Sequence, residues 1–174
     1  KQGAPGVGLG VQYTPAASRA EIKAAFEAAS EFSAPCFVHM RYMGSKEGES
    51  APVALDELLE ASRTTGAPLH VVHIQSSGLG TTKELLAKIA AAQADGLAVT
   101  TEVYPYTAAM TELESAIFQK GWRQLLGIDY GDLLWVKTGE RITEKTFPKY
   151  REEGGLVVMF MIPREAMEAA ILTP

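Results

Sequence analysis

The sequence predicts an α/β fold built on a parallel sheet. Three observations carry that prediction. Short apolar strands alternate with helical stretches of about 10–15 residues along most of the chain. Strand starts at 35, 68 and 97 fall about 30 residues apart, the size of one βα unit. The strands are almost continuously apolar, as strands covered by helices on a parallel sheet must be.

Each element can be justified in order. "GVGLGVQY" (6–13) reads as a strand, followed by a helix over 18–32 that Ser18 caps, with Glu21 completing a capping box. "PCFVHM" (35–40) is the next strand, and 53–65 a helix that Gly66 ends. "PLHVVHI" (68–74) precedes a loop, "SSGLGTT", and a helix over 82–95 that Gly96 ends. "LAVTTEVY" (97–104) is another strand. Residues 105–155 are less regular and read as an irregular insertion. "GLVVMFM" (155–161) predicts a last strand, and 163–172 a helix with proline in its first turn. Two architectures fit this order: an open doubly wound sheet, or an arc of a (β/α)8 barrel holding about five βα units.

Composition narrows the function classes. At 174 residues the chain is long enough for one domain with a sizeable core. Its net charge of −5 argues against nucleic acid as a partner, because phosphate binding wants a basic face. No apolar run reaches the roughly 20 residues of a membrane span. The single cysteine, Cys36, cannot build a disulfide framework, which leans to a reducing, cytoplasmic setting. The opening "KQGAPGVGLG" and the ending "AAILTP" suggest a piece of something longer.

The histidines are the candidate chemistry. Alternation puts Phe37 and His39 on one face of their strand, and Cys36, Val38 and Met40 on the other. In the next strand Leu69, Val71 and His73 share one face, and His70 and Val72 the other. With Leu69 and Val71 taken as inward, His39 and His73 end adjacent strands at matched positions. Neighbouring strands lie about 4.8 Å apart, so two imidazoles there can share one metal ion. His70 is then expected to face the helix layer, and Cys36 to be a packing residue. "SSGLGTT" reads as an N-cap with a flexible connection rather than an anion site, and "GVGLG" lacks the GxGxxG spacing of a dinucleotide loop.

"GLGVQYTP", "FVHMRYMG", "HVVHIQSSG" and "TTEVYPYTA", in that order, resemble the D-aminoacylase (N-acyl-D-amino-acid deacylase) branch of the amidohydrolase superfamily. "TGERIT" and the stretch 152–174 are similar to the same family's approach to its final barrel strand. The resemblance implies a partial (β/α)8 TIM-like metal-dependent hydrolase barrel. It implies one or two divalent metal ions, zinc first, with His39 and His73 as ligands. The family's general acid/base is an aspartate expected beyond residue 174, and its His-x-His motif and third ligand are expected upstream of residue 1. The missing N- and C-terminal parts of the barrel are therefore expected partners of this segment. The implied substrate is a small N-acyl amino acid or similar amide, with Arg41, Tyr104 and Tyr13 as candidate substrate-binding residues. Arg41 has an equal alternative as a rim salt bridge, and Tyr13 and Tyr104 as packing. Gln75, Glu102 and Met110 depart from the family's common lysine, aspartate and serine, which puts the mode of substrate holding in question. The alternatives are a cyclic-amide hydrolase of the dihydroorotase or hydantoinase kind, or an inactive barrel arc.

Overall fold

The computed structural model describes residues 3–46 and 48–173. Along the chain run β1 (Val7–Gly10), α1 (Arg19–Ser30), β2 (Cys36–His39), α2 (Ala51–Thr65), β3 (Leu69–Val71), α3 (Ile74–Gly78), α4 (Thr82–Ala94) and β4 (Val99–Thr101). Then follow β5 (Ala109–Glu112), α5 (Trp122–Leu126), β6 (Leu133–Trp135), β7 (Glu140–Arg141), α6 (Phe147–Glu153), β8 (Leu156–Met159) and α7 (Arg164–Leu172). None of these helices is long and apolar enough to cross a membrane.

The first half is a parallel sheet in the order β1-β2-β3-β4, each strand joined to the next by helical crossovers. The local signals behave as their chemistry dictates. Ser18 and Glu21 form a reciprocal capping box at the start of α1. Gly66 ends α2 in the left-handed conformation that a Cβ disfavours. Cys36, Val38, Leu69, Val71 and Val99 point into one core with Phe26, Leu55, Leu58 and Leu85 from the helices. Cys36 is fully buried there, and burial pushes its thiol pKa up to about 11, so it is an inert packing residue.

Among the described residues no helix covers the other face of this sheet, where Gly8, Phe37 and Thr100 are exposed. Gly8, Phe37, His70 and Thr100 lie in one register row across the four strands. Phe37 is 39% exposed there. His70 therefore does not face the helix layer, and the parity expected for strand 68–74 is reversed. The cause is plain in the packing: Leu69 and Val71 are the residues the helices bury.

The second half also departs from expectation. Leu156–Met159 is not a fifth parallel strand. β8 runs antiparallel to β5 and to β6, in a separate sheet ordered β5-β8-β6-β7. The stretch read as an irregular insertion supplies its neighbours, so the parallel arc has four strands rather than about five. An apolar run specifies burial but not the direction of its partners. This sheet has its own core, in which Trp135 stacks on Tyr150 with ring centroids 4.9 Å apart. Gly155 makes the stack possible: a Cβ there would lie 2.8 Å from the Trp135 ring, and its φ of +145° disfavours any side chain.

Candidate metal centre

The site forms where the carboxyl ends of β1–β4 meet the second sheet. His39 is the last residue of β2, on the face of the sheet away from the helices. Continued alternation from Val71 would send His73 the other way, into the helix layer. It does not go there, because β3 stops at Val71 and His73 takes a left-handed backbone, φ 34° and ψ 64°. That turn brings the His73 ring back over the end of the sheet. The two imidazoles meet edge to face with centroids 4.6 Å apart and an interplanar angle of 81°.

The turn is held by several bonds. The Ile74 amide donates to the Glu102 carbonyl at 3.0 Å, and the Ser76 amide to the His73 carbonyl at 3.0 Å. The Ser76 hydroxyl is 2.9 Å from that same carbonyl and 2.7 Å from His73 Nδ1. The "SSGLGTT" stretch is thus not a flexible connection: Ile74–Gly78 is a short helix, followed by a 3-10 turn over Leu79–Thr81.

Burial favours the neutral form of both rings. It pushes the His39 pKa down to about 4, with the neighbouring His73 adding to the effect. Burial also lowers the His73 pKa, against its own backbone hydrogen bond and Glu102, which act upwards. Neutral imidazoles carry the lone pairs a metal needs, so this donor set fits a divalent ion of the zinc kind. No cluster of three or more histidine, cysteine, aspartate or glutamate side chains that could hold a metal is found among the described residues. The pair on its own thus brings two imidazole donors together.

The rings open on a cavity of about 310 Å³. Tyr13, Tyr104 and Tyr106 line it with Ser76, and Met43, Met110, Ile117 and Met159 add apolar wall. Tyr13 lies just beyond its strand, in a 3-10 turn, with its ring 5.4 Å from His39 and its hydroxyl 3.3 Å from Thr111 Oγ1. Tyr104 stands 5.9 Å from the His73 ring; burial raises its phenol pKa, and a side-chain hydrogen bond with Ser76 opposes that. Gln75 is fully buried and donates from Nε2 to the Tyr104 carbonyl at 2.9 Å, outside the cavity wall. His70 lies one row below His39, with Nδ1 at 2.8 Å from Thr100 Oγ1 and Nε2 at 3.7 Å from Glu102.

Arg41 does not enter this cavity. Its Nε and Nη2 donate to the two Glu57 carboxylate oxygens at 3.0 and 2.9 Å, and Nη1 donates to the Pro15 carbonyl. Both partners of the ion pair are more than nine-tenths buried, at 9% and 7% side-chain exposure. The salt bridge expected as the alternative is thus present, and Arg41 lines a neighbouring cavity with Met43 and Ile117. Sequence reasoning missed Ser76, whose i,i+3 spacing from His73 was the available signal once the histidine is followed by a helical turn.

Neither a family model nor a curated protein sequence matches the chain. Solved structures do. N-acyl-D-glutamate deacylase from Bordetella bronchiseptica, complexed with zinc and a phosphonate mimic of the tetrahedral intermediate, aligns with a TM-score of 0.76 at 21% identity, over 99% of this chain and 38% of that one. D-aminoacylase, described as defining a novel subset of amidohydrolases, aligns with a TM-score of 0.71 at 26% identity, over 95% of this chain and 36% of its own. A further D-aminoacylase structure, reported for its binuclear metal centre, gives 0.72 at 25% identity with the same coverage. The chain thus spans little more than a third of the enzymes it matches. Over that stretch it has the fold of the D-aminoacylase branch of the amidohydrolase superfamily.

Proposed function

We propose that His39 and His73 hold a divalent metal ion, zinc first, in an enzyme that hydrolyses amides, with N-acyl-D-amino acids as its substrate class. One observation carries the proposal: two neutral imidazoles, 4.6 Å apart, stand at the carboxyl ends of adjacent parallel strands and open on a cavity. Parallel barrels gather their chemistry at that end. The similarity to a zinc-bound deacylase and to D-aminoacylases supports the same reading.

A divalent metal bound there supplies Lewis acidity to an amide carbonyl and acidifies water. This chain's residues do the holding and shaping. His39 and His73 offer lone pairs from a buried position that disfavours their protonation. Tyr13 and Tyr104 place hydroxyl groups at the cavity wall, where they can orient an acyl oxygen. Met43, Ile117 and Met159 give the cavity apolar wall. A third ligand upstream and a proton-transferring aspartate downstream complete the proposed site.

The experiment is hydrolysis of N-acetyl-D-amino acids by the zinc-loaded protein that contains this chain, beside its folded His73→Ala variant. Turnover in the parent and its loss in the variant would support the proposal. Equal turnover in both, or none in the loaded parent, would overturn it.

A further inference from the structure

We propose that Ser76 is a positioning residue that fixes the tautomer of His73, so that Nδ1 carries the proton and Nε2 offers the lone pair. The inference deepens the metal reading above and rests on it for its purpose, but not for its geometry.

A serine hydroxyl has a single proton and two lone pairs. Ser76 Oγ lies 2.9 Å from the His73 carbonyl oxygen, which can only accept, so the hydroxyl proton belongs to that bond. Oγ also lies 2.7 Å from His73 Nδ1. With its proton already committed, Oγ can meet Nδ1 only as an acceptor, and Nδ1 must be the donor. A neutral imidazole has one N–H, and in that form it sits on Nδ1. Nε2 is therefore unprotonated and free to ligate. Metal-bound histidines are commonly held in this way by a group on their other nitrogen.

The same serine also holds the backbone that aims the ring. Its amide donates to the His73 carbonyl at 3.0 Å, so the left-handed turn at His73 is closed by two bonds from one residue. Ser76 is buried at 4% exposure. Its neighbour supplies an internal control. Ser77 is equally buried, but its hydroxyl has no hydrogen-bond partner and does not line the cavity.

The experiment uses the protein that contains this chain. Long-range 1H–15N correlation spectra of the metal-free protein report the tautomer of each histidine ring. Zinc titration calorimetry then compares the parent with Ser76→Ala, Ser76→Thr and Ser77→Ala, each checked for a cooperative melt. The expected results are a protonated Nδ1 on His73 in the parent, and a mixture of tautomers in Ser76→Ala. Zinc affinity should fall about 10- to 100-fold in Ser76→Ala, recover in Ser76→Thr and hold in Ser77→Ala. A proton on Nε2 of His73 in the parent would overturn the assignment whether or not any variant folds. So would folded Ser76→Ala protein that binds zinc as tightly as the parent. A parent that shows the Nδ1 tautomer yet takes up no zinc would count against the metal reading, and against the purpose of the bond but not its existence.

Discussion

His73 meets His39 at 4.6 Å only because its own backbone leaves the extended region at the step where alternation would have turned it away. A left-handed conformation costs a residue with a Cβ roughly 1–2 kcal/mol, and glycine almost nothing. The strain is thus part of what aims the ring.

Replacing His73 by glycine should therefore be milder than replacing it by alanine. Both lose the imidazole, but only alanine keeps the strained Cβ. Urea unfolding should find His73→Gly more stable than His73→Ala by about 1 kcal/mol, once the greater freedom of unfolded glycine is included. An alanine variant as stable as the glycine one would show that the turn carries no strain.

The pH dependence of stability should report His39. Its folded pKa is pushed down to about 4, against 6.5 when exposed. As pH falls through about 6.5 the unfolded chain takes up this proton and the folded chain does not. Stability is thus fully present above that pH and is lost as pH falls towards 4, by on the order of 3 kcal/mol. Carboxylates add their own acid loss, so the comparison is with His39→Gln. Between pH 7.5 and 4.5 the parent's urea midpoint should drop further than the variant's; equal drops would contradict the assignment.

Arg41 should behave as a structural residue. Removing one member of a buried ion pair strands the other, at a cost of about 3–5 kcal/mol. Arg41→Met and Glu57→Leu should each lower the melting temperature sharply, and the double variant should regain most of the loss. A stable Arg41→Met protein would return Arg41 to the list of candidates for substrate contact.

The helix-free face of the parallel sheet should make the chain self-associate. Phe37 is exposed there, and β1 and β4 each have only one neighbour in their sheet. Light scattering should rise with concentration and fall in Phe37→Thr. A monodisperse parent with no binding of an apolar-surface dye would contradict this.

Much of this molecule was legible as pattern. The box of Ser18 and Glu21, the glycine stop at Gly66 and the 30-residue spacing are local signals, and local chemistry decides them. The identity of the two histidines near the cavity was legible as well, but the reason given for their pairing was not the physical one. Alternation describes a chain only while it stays extended, and nothing in "HVVHI" announces that the strand ends at Val71. The same limit reversed His70. β8 was misplaced because "LVVM" states how apolar a strand is and not which way its neighbours run. Arg41 was decided by Glu57, sixteen residues away on α2, a contact that only the fold creates.

In the proposed site His39 and His73 bind one metal between them, and His70, on the same open face, takes no part. The decisive measurement is zinc titration calorimetry on the protein that contains this chain, with His39→Ala, His73→Ala and His70→Ala each shown to be folded by circular dichroism. The parent should bind zinc, with a loss of affinity of about 100-fold or more in the first two variants and a parent-like affinity in the third. Folded His73→Ala protein that binds zinc as the parent does, while His70→Ala protein does not, would contradict it.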